Sequence, residues 1–164
     1  MTVRSENLVR EFLDDCGFDY EIVPCDPELA DTTVFCQHYG YALELSANTI
    51  IVKAKTGEER FVACVVLANT RLDVNKVVRK RLAARRVSFA SADETREVTG
   101  MELGGVTPLA LPVDLPVWID QRVMSAAYIV LGSGNRSTKI KIAPKALLQI
   151  PGATVIENLA TDRT

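Results

Sequence analysis

Apolar residues recur along this chain first at helical spacing and then at strand spacing. Leu8, Val9, Phe12 and Leu13 line one face of a helix over residues 5–16, with Ser5 placed to cap it and Gly17 to end it. Residues 20–23 read as a strand ended by Pro24 and Pro27. Asp31 or Thr32 then opens a short helix through Tyr39, with Gly40 behind it. Residues 49–55 form a β-branched run, residues 56–59 a turn and residues 60–67 a second strand, which together make a hairpin. Asp73 caps a helix in which Val74, Val77, Val78 and Leu82 repeat at helical intervals. A short strand at 87–90 follows. Ser91, with Glu94 three residues on, has the capping-box pattern for a helix ended by Gly100. Strands are expected at 117–120, 128–131 and 139–142, a helix from Pro144 to residue 150, and a last strand at 153–156. Hairpins mixed with helices predict an α+β fold around a largely antiparallel or mixed sheet. No repeat, linker or low-complexity tract divides residues 1–164, so one domain is expected.

Between the helix ended by Gly100 and the strand at 117 the periodicity stops. Residues 99–112 hold Gly100, Gly104, Gly105, Pro108 and Pro112, with Glu102 as the sole charge. Glycine and proline interrupt helix and ladder hydrogen bonding, while Met101, Leu103, Val106, Leu109 and Leu111 can hold the segment against the body of the protein. Such a loop is ordered yet bare at Gly104-Gly105, where backbone N–H groups can meet a ligand. The functional site is expected here.

Composition narrows the chemistry. With 164 residues, 48% hydrophobic and 24% charged, the chain can bury one core. Nothing near the start resembles a signal peptide, and the apolar runs fall short of the ~20 residues that cross a bilayer. Cys16, Cys25, Cys36 and Cys64 form no CxxC pair, and His38 is the one histidine, which makes a poor metal-ligand set. Reduced thiols in a cytoplasmic protein are the expectation. Charge is uneven: Arg71, Lys76, Arg79, Lys80, Arg81, Arg85 and Arg86 face only Asp73, and Arg136, Lys139, Lys141 and Lys145 form a second basic group. Local excess of this kind attracts phosphate, although a solvated helix face produces the same pattern. His38 at a helix end suits the helix dipole, and Cys64 and Trp118 read as packed strand residues.

Taken in order, the helix opened by Leu72-Asp73, then Thr99-Gly100, Gly104-Gly105-Val106-Thr107-Pro108, Asp120 after an apolar strand and Gly132-Ser133-Gly134 carry a resemblance. The sequence resembles the YbaK/ProX family of aminoacyl-tRNA deacylases, which are related to the editing domain of prolyl-tRNA synthetase, over roughly residues 5–158. The resemblance implies a barrel-like mixed sheet surrounded by helices. It also implies hydrolysis of the ester of mischarged tRNA without metal or cofactor, and a pocket for the 3′-terminal adenosine and its aminoacyl group. An aminoacyl-tRNA synthetase is an implied partner, and no membrane is. On this resemblance Gly104 and Gly105, with Val106, would offer amides to the ester carbonyl as charge develops on it. Thr107 and Pro108 would shape the pocket, and Gly132, Ser133 and Gly134 would approach the ribose or phosphate, although a plain hairpin turn explains that tripeptide equally well.

The family carries a lysine where this chain has Asn48. Lys53 and Lys55 lie an odd number of residues from Asn48, on the opposite strand face. Lys139, in the strand after the 132–136 turn, is a nearer cation. Asn48 can orient a hydroxyl or water without bringing charge, so two readings stand: a deacylase in which Asn48 orients the substrate or water, or a non-catalytic module that binds aminoacyl-tRNA or a nucleotide or amino-acid derivative. On the basic helix, Lys76, Arg79 and Lys80 share one face and are the expected tRNA contact.

Overall fold

A computed structural model describes the backbone of residues 2–163 and the side chains of residues 7–163. The first helix, α1 (Thr2–Asp15), starts before Ser5, so the expected cap falls inside it; that side chain lies outside the described residues. After β1 (Tyr20–Pro24), a 3-10 turn and α2 (Thr32–Tyr39), the hairpin expected from the β-branched run is present. Its strands β2 (Ala47–Ala54) and β3 (Arg60–Leu67) pair antiparallel along all eight residues. β3 is central and its residues 62–67 are all buried, which is why its sequence is a continuous apolar run and not an alternating one. β4 (Thr70–Leu72) follows.

The basic helix is shorter than its periodicity suggests. Asp73 does cap it, accepting from the Lys76 N–H at 3.1 Å, but a wide π turn at Val74–Val78 gives way to a single α turn, α3 (Arg79–Arg81). Ala83 takes a left-handed φ of 52° and ends it, so Arg85 and Arg86 lie in the return to β5 (Val87–Phe89). The capping box on α4 (Ala92–Thr99) is complete, and Gly100 closes that helix at a φ of 70°. Then come β6 (Val117–Asp120), the short α5 (Gln121–Met124), β7 (Ile129–Gly132) and β8 (Thr138–Ile142). The helix expected after Pro144 is instead 3-10 over Pro144–Gln149, and β9 (Ala153–Ile156) and β10 (Ala160–Asp162) end the chain.

The strands form a five-stranded sheet in the order β5-β2-β3-β6-β9, a three-stranded sheet β1-β8-β7, and the pair β10-β4. β3, β6 and β9 run parallel; the other pairings are antiparallel. The two larger sheets meet at one parallel bridge, Ser46–Val130. The mixed α/β architecture matches the sequence expectation. Its main core is enclosed by the two sheets and α1, through Val9, Leu13, Ile51, Val65, Ile119, Ile129, Leu131 and Ile140. Val78 and Leu82 cover the other face of the five-stranded sheet over Val52, Val62, Cys64 and Val66. α2 packs Phe35 and Cys36 outside the three-stranded sheet on Val23 and Val130.

Candidate functional site

β2 has one edge that is only partly paired. β5 covers residues 52–54, the bridge to β7 lies at Ser46, and no strand of the described residues covers the edge between them. The Ile51 carbonyl accepts from the Ala90 N–H at 2.9 Å on that side. By strand alternation the Thr49 N–H and carbonyl face the same way, with no strand opposite. The gap is a cleft of about 400 Å³, within the size range of small-ligand sites. Asn48, Thr49 and Ile50 form one wall, Leu103, Gly104 and Val106 the other, and Gly132 and Lys139 contribute to its lining; Phe89 stands at its margin, 59% exposed. A second hollow, about 550 Å³, lies against Phe61 and Leu115 and gathers none of the predicted site residues.

The glycines explain how the 99–112 loop reaches this place. The Glu102 N–H donates to the Gly134 carbonyl at 3.4 Å and the Gly134 N–H to the Gly105 carbonyl at 2.6 Å, so the loop and the 132–136 turn lie backbone on backbone. A Cβ on Gly105 would run into the Asn135 backbone, and one on Gly132 into the carbonyls of Gly105 and Val106. Only glycine permits that approach.

The geometry divides the predicted residues. Asn48, Gly104, Val106 and Gly132 meet in the cleft. Asn48 Oδ1 accepts from Thr32 Oγ1 at 2.5 Å, which fixes the amide plane, and its NH2 group has no protein acceptor among the described residues. The Gly104 and Val106 N–H groups likewise have no protein acceptor there. Gly105 requires a correction: it is buried, and its N–H is occupied in a turn with the Glu102 carbonyl at 3.0 Å, so it is a packing residue and not an amide donor to the site. Thr107 and Pro108 are buried behind the loop, and Thr107 Oγ1 has no hydrogen-bond partner among the described residues. Ser133 points away from the cleft; its hydroxyl donates to the Thr138 carbonyl at 2.9 Å and borders a small hollow beside Val9 and Leu13. Gly134 serves the backbone pairing above. Lys76 and Lys80 are exposed, and Arg79 is half-buried with Nε donating to the Asn75 carbonyl at 2.8 Å.

Three lining residues carried no clear sequence signal. Thr32 reads as a helix start, and Thr49 and Phe89 as strand residues. Thr49 Oγ1 is enclosed at the cleft without a hydrogen-bond partner among the described residues. Lys139, the cation noted from sequence, is 4% exposed. Its Nζ donates to the carbonyls of Ala30 (2.5 Å) and Gly104 (2.7 Å), and burial draws its pKa below the ordinary lysine value, partly opposed by Cys25 and Asp31. Lys53 does not line the cleft; it pairs with Glu94, which raises the lysine pKa and lowers the carboxyl one. His38 is exposed on α2, and no cluster of three His, Cys, Asp or Glu side chains able to hold a metal occurs among the described residues.

A family model described as the aminoacyl-tRNA editing domain matches residues 26–150. The chain is 25% identical over 108 residues to EbsC of Enterococcus faecalis, a candidate Cys-tRNA(Pro)/Cys-tRNA(Cys) deacylase; the match covers 66% of this chain and 63% of that protein. It is 26% identical over 115 residues to proline–tRNA ligase of Caldicellulosiruptor bescii, covering 70% of this chain and 19% of the ligase. The chain thus spans less than two thirds of either relative. The crystal structure of a candidate trans-editing enzyme for prolyl-tRNA synthetase superimposes with a TM-score of 0.77 over 96% of this chain and 97% of that one. At 21% identity that likeness speaks for the fold alone. The edge-strand cleft, the glycine loop lying on its neighbouring turn and the family match agree: this chain belongs to the aminoacyl-tRNA editing domain family.

Proposed function

We propose that the cleft hydrolyses the ester linking a wrong amino acid to the 3′-terminal adenosine of a tRNA. The observation that carries this reading is that three donors with no protein acceptor among the described residues, the Asn48 NH2 group and the Gly104 and Val106 amides, belong to residues that line one cleft. In ester hydrolysis water adds to the carbonyl carbon, the carbonyl oxygen takes up negative charge, and the ribose oxygen then leaves with a proton. Amides fixed before the reaction stabilise that charge without reorganising. Gly104 and Val106 fill this role. Asn48, locked by Thr32, orients the ribose hydroxyl or the attacking water. The backbone of Thr49 and its enclosed hydroxyl lie where the amino-acid end would be read. The cleft admits a small aminoacyl group, and discrimination there rests on differences of about 1–3 kcal/mol per methylene. The working partner is a mischarged tRNA in the cytoplasm, alongside an aminoacyl-tRNA synthetase, with Lys76, Arg79 and Lys80 on its phosphates.

Release of amino acid from Cys-, Ala-, Ser- and Pro-tRNA species tests the assignment. Turnover by the wild type that falls about 3–10-fold in Asn48→Ala, the size of one neutral hydrogen bond, supports it. Absence of turnover by the wild type, with recovery in Asn48→Lys, would mark a binding module that has lost hydrolysis at one position. Inactivity of both would end the deacylase reading.

A further inference from the structure

Two cations reach across the rim of the cleft and hold the loop that supplies its amides. Arg136 Nη1 donates to the Leu103 carbonyl at 2.7 Å, and its Nε donates to the Pro27 carbonyl at 2.8 Å. Lys139 makes the parallel connection, from Gly104 at 2.7 Å to Ala30 at 2.5 Å. Both side chains bridge the same two segments, 27–30 and 103–104, through four main-chain oxygens. The carboxylate recorded at the cluster is Asp31, 3.5 Å from Arg136 Nη1 and 72% exposed. Lys139 Nζ lies 5.6 Å from the centre of the Phe35 ring. A buried ammonium held by neutral carbonyls is a costly way to pin a loop, so the charge itself calls for an account.

Peptide geometry supplies one. No described peptide bond is cis, and in a trans peptide the carbonyl and the N–H point in opposite directions. Anchoring the Leu103 carbonyl on Arg136 therefore turns the Gly104 N–H away from the cation. Gly104 lines the cleft, and that N–H has no acceptor in the protein among the described residues. Lys139 holds the next peptide, whose N–H belongs to Gly105 and is occupied by Glu102. Gly104 sits at a φ of 82°, and a Cβ there would collide with Arg136 Nη1, so the guanidinium can lie this close only against glycine.

We propose that Arg136 is a positioning residue that turns the Gly104 N–H into the cleft and polarises it through the Leu103 carbonyl, while Lys139 braces the following peptide. The Gly104 amide is then a charge-reinforced donor for an oxygen that gains negative charge. That last role rests on the hydrolytic reading; the orientation of the amide does not. A cation on the carbonyl draws electrons from the N–H of the same peptide, since hydrogen bonds in a chain polarise one another.

The test has two arms, both on the full chain. In the first, the Gly104 amide is followed by nuclear magnetic resonance without substrate. It is expected to exchange rapidly with solvent, and its proton resonance is expected to move upfield in Arg136→Gln. A Gly104 amide protected from exchange in the wild type, or unmoved in the variant, overturns the proposal. In the second, single-turnover hydrolysis of Cys-tRNA(Pro) is compared with binding of its non-reacting 3′-amide analogue. Arg136→Gln is expected to slow the chemical step about 10–100-fold, as for loss of charge assistance, with less than about threefold change in analogue affinity. Arg136→Lys, which keeps the charge, is expected to recover most of the rate. Equal rate losses in the Gln and Lys variants, or a rate loss matched by weaker analogue binding, would make the contact merely structural and overturn it. A wild type inactive on every charged tRNA, with the first arm as expected, removes the hydrolytic reading and leaves the oriented amide standing.

Discussion

Asn48 is held in place by a neighbour. Thr32 at the start of α2 fixes which way its amide faces, so Thr32→Val is expected to lower turnover while leaving the fold intact, and Thr32→Ser to restore it. Kinetics beside a thermal melt check this; a Val variant as active as the wild type would show that the orientation of Asn48 is irrelevant. Asp120 shows the opposite economy. It is fully buried, Oδ1 accepts from the Ala160 N–H at 3.3 Å, and Oδ2 has no partner among the described residues. Burial pushes its pKa above the ordinary carboxylate value, against smaller opposing contributions from the Ala160 amide and Arg122. The folded protein then holds that proton more readily than the unfolded chain. The group is least costly at acid pH, and stability is lost as pH rises from the ordinary value through the raised one. Asp120→Asn should therefore match or exceed the wild type in melting temperature at neutral pH, its advantage shrinking on acidification. An advantage that grows toward acid would refute the assignment.

Elements were legible in the sequence where one short-range signal decided them. The capping box at Ser91 and Glu94, the left-handed glycine after α4 and the β2–β3 hairpin are local matters, and each formed as expected. β4 and β10 were not read, because three residues are too few to show alternation and each strand depends on the other. The basic helix was overextended because apolar spacing at Leu82 continues past the point where Ala83 turns left-handed. At the site, sequence pointed to the loop that lines the cleft but not to which of its amides lack a partner: the occupation of the Gly105 N–H by Glu102 is a matter of how the loop turns. Two substitutions separate these levels. Ser91→Ala, losing a cap, should cost about 1 kcal/mol, or about 2–4 °C in melting temperature for a chain of this size. Gly105→Ala, driven into the Asn135 backbone, should cost about 1–3 kcal/mol through overpacking and also abolish turnover by displacing the loop. If Gly105→Ala melted and turned over like the wild type, the close backbone approach would not be what places the amides.

Across the whole molecule, the cleft and the basic segment share a sheet face, which local sequence reading could not show. Asn48, Ile50, Val52 and Ala54 alternate onto the face covered by Val74, Val77 and Val78, and Phe89 lies beside Val52 in register. Two residues of strand separate Val52 from Ile50, about 7 Å. Phe89, at the margin of the cleft, lies on β5, which packs against the Val74–Val78 turn that carries the exposed Lys76, so an aromatic surface and positive charge sit on adjoining elements. Proteins that hold single-stranded nucleic acid combine these two features, a base stacking on the ring and phosphates lying on the cations. Phe89→Ala is expected to raise the KM for charged tRNA about 5–150-fold, the range set by one lost base stack of about 1–3 kcal/mol, with kcat nearly unchanged. Phe89→Trp should be tolerated. The triple change of Lys76, Arg79 and Lys80 to Ala should weaken tRNA binding and flatten its dependence on salt, because fewer counterions are released. A small aminoacyl ester that lacks the RNA body should show neither effect. If Phe89→Ala altered the small ester and the tRNA equally, the ring would belong to the wall of the cleft and not to the path by which the RNA end reaches it.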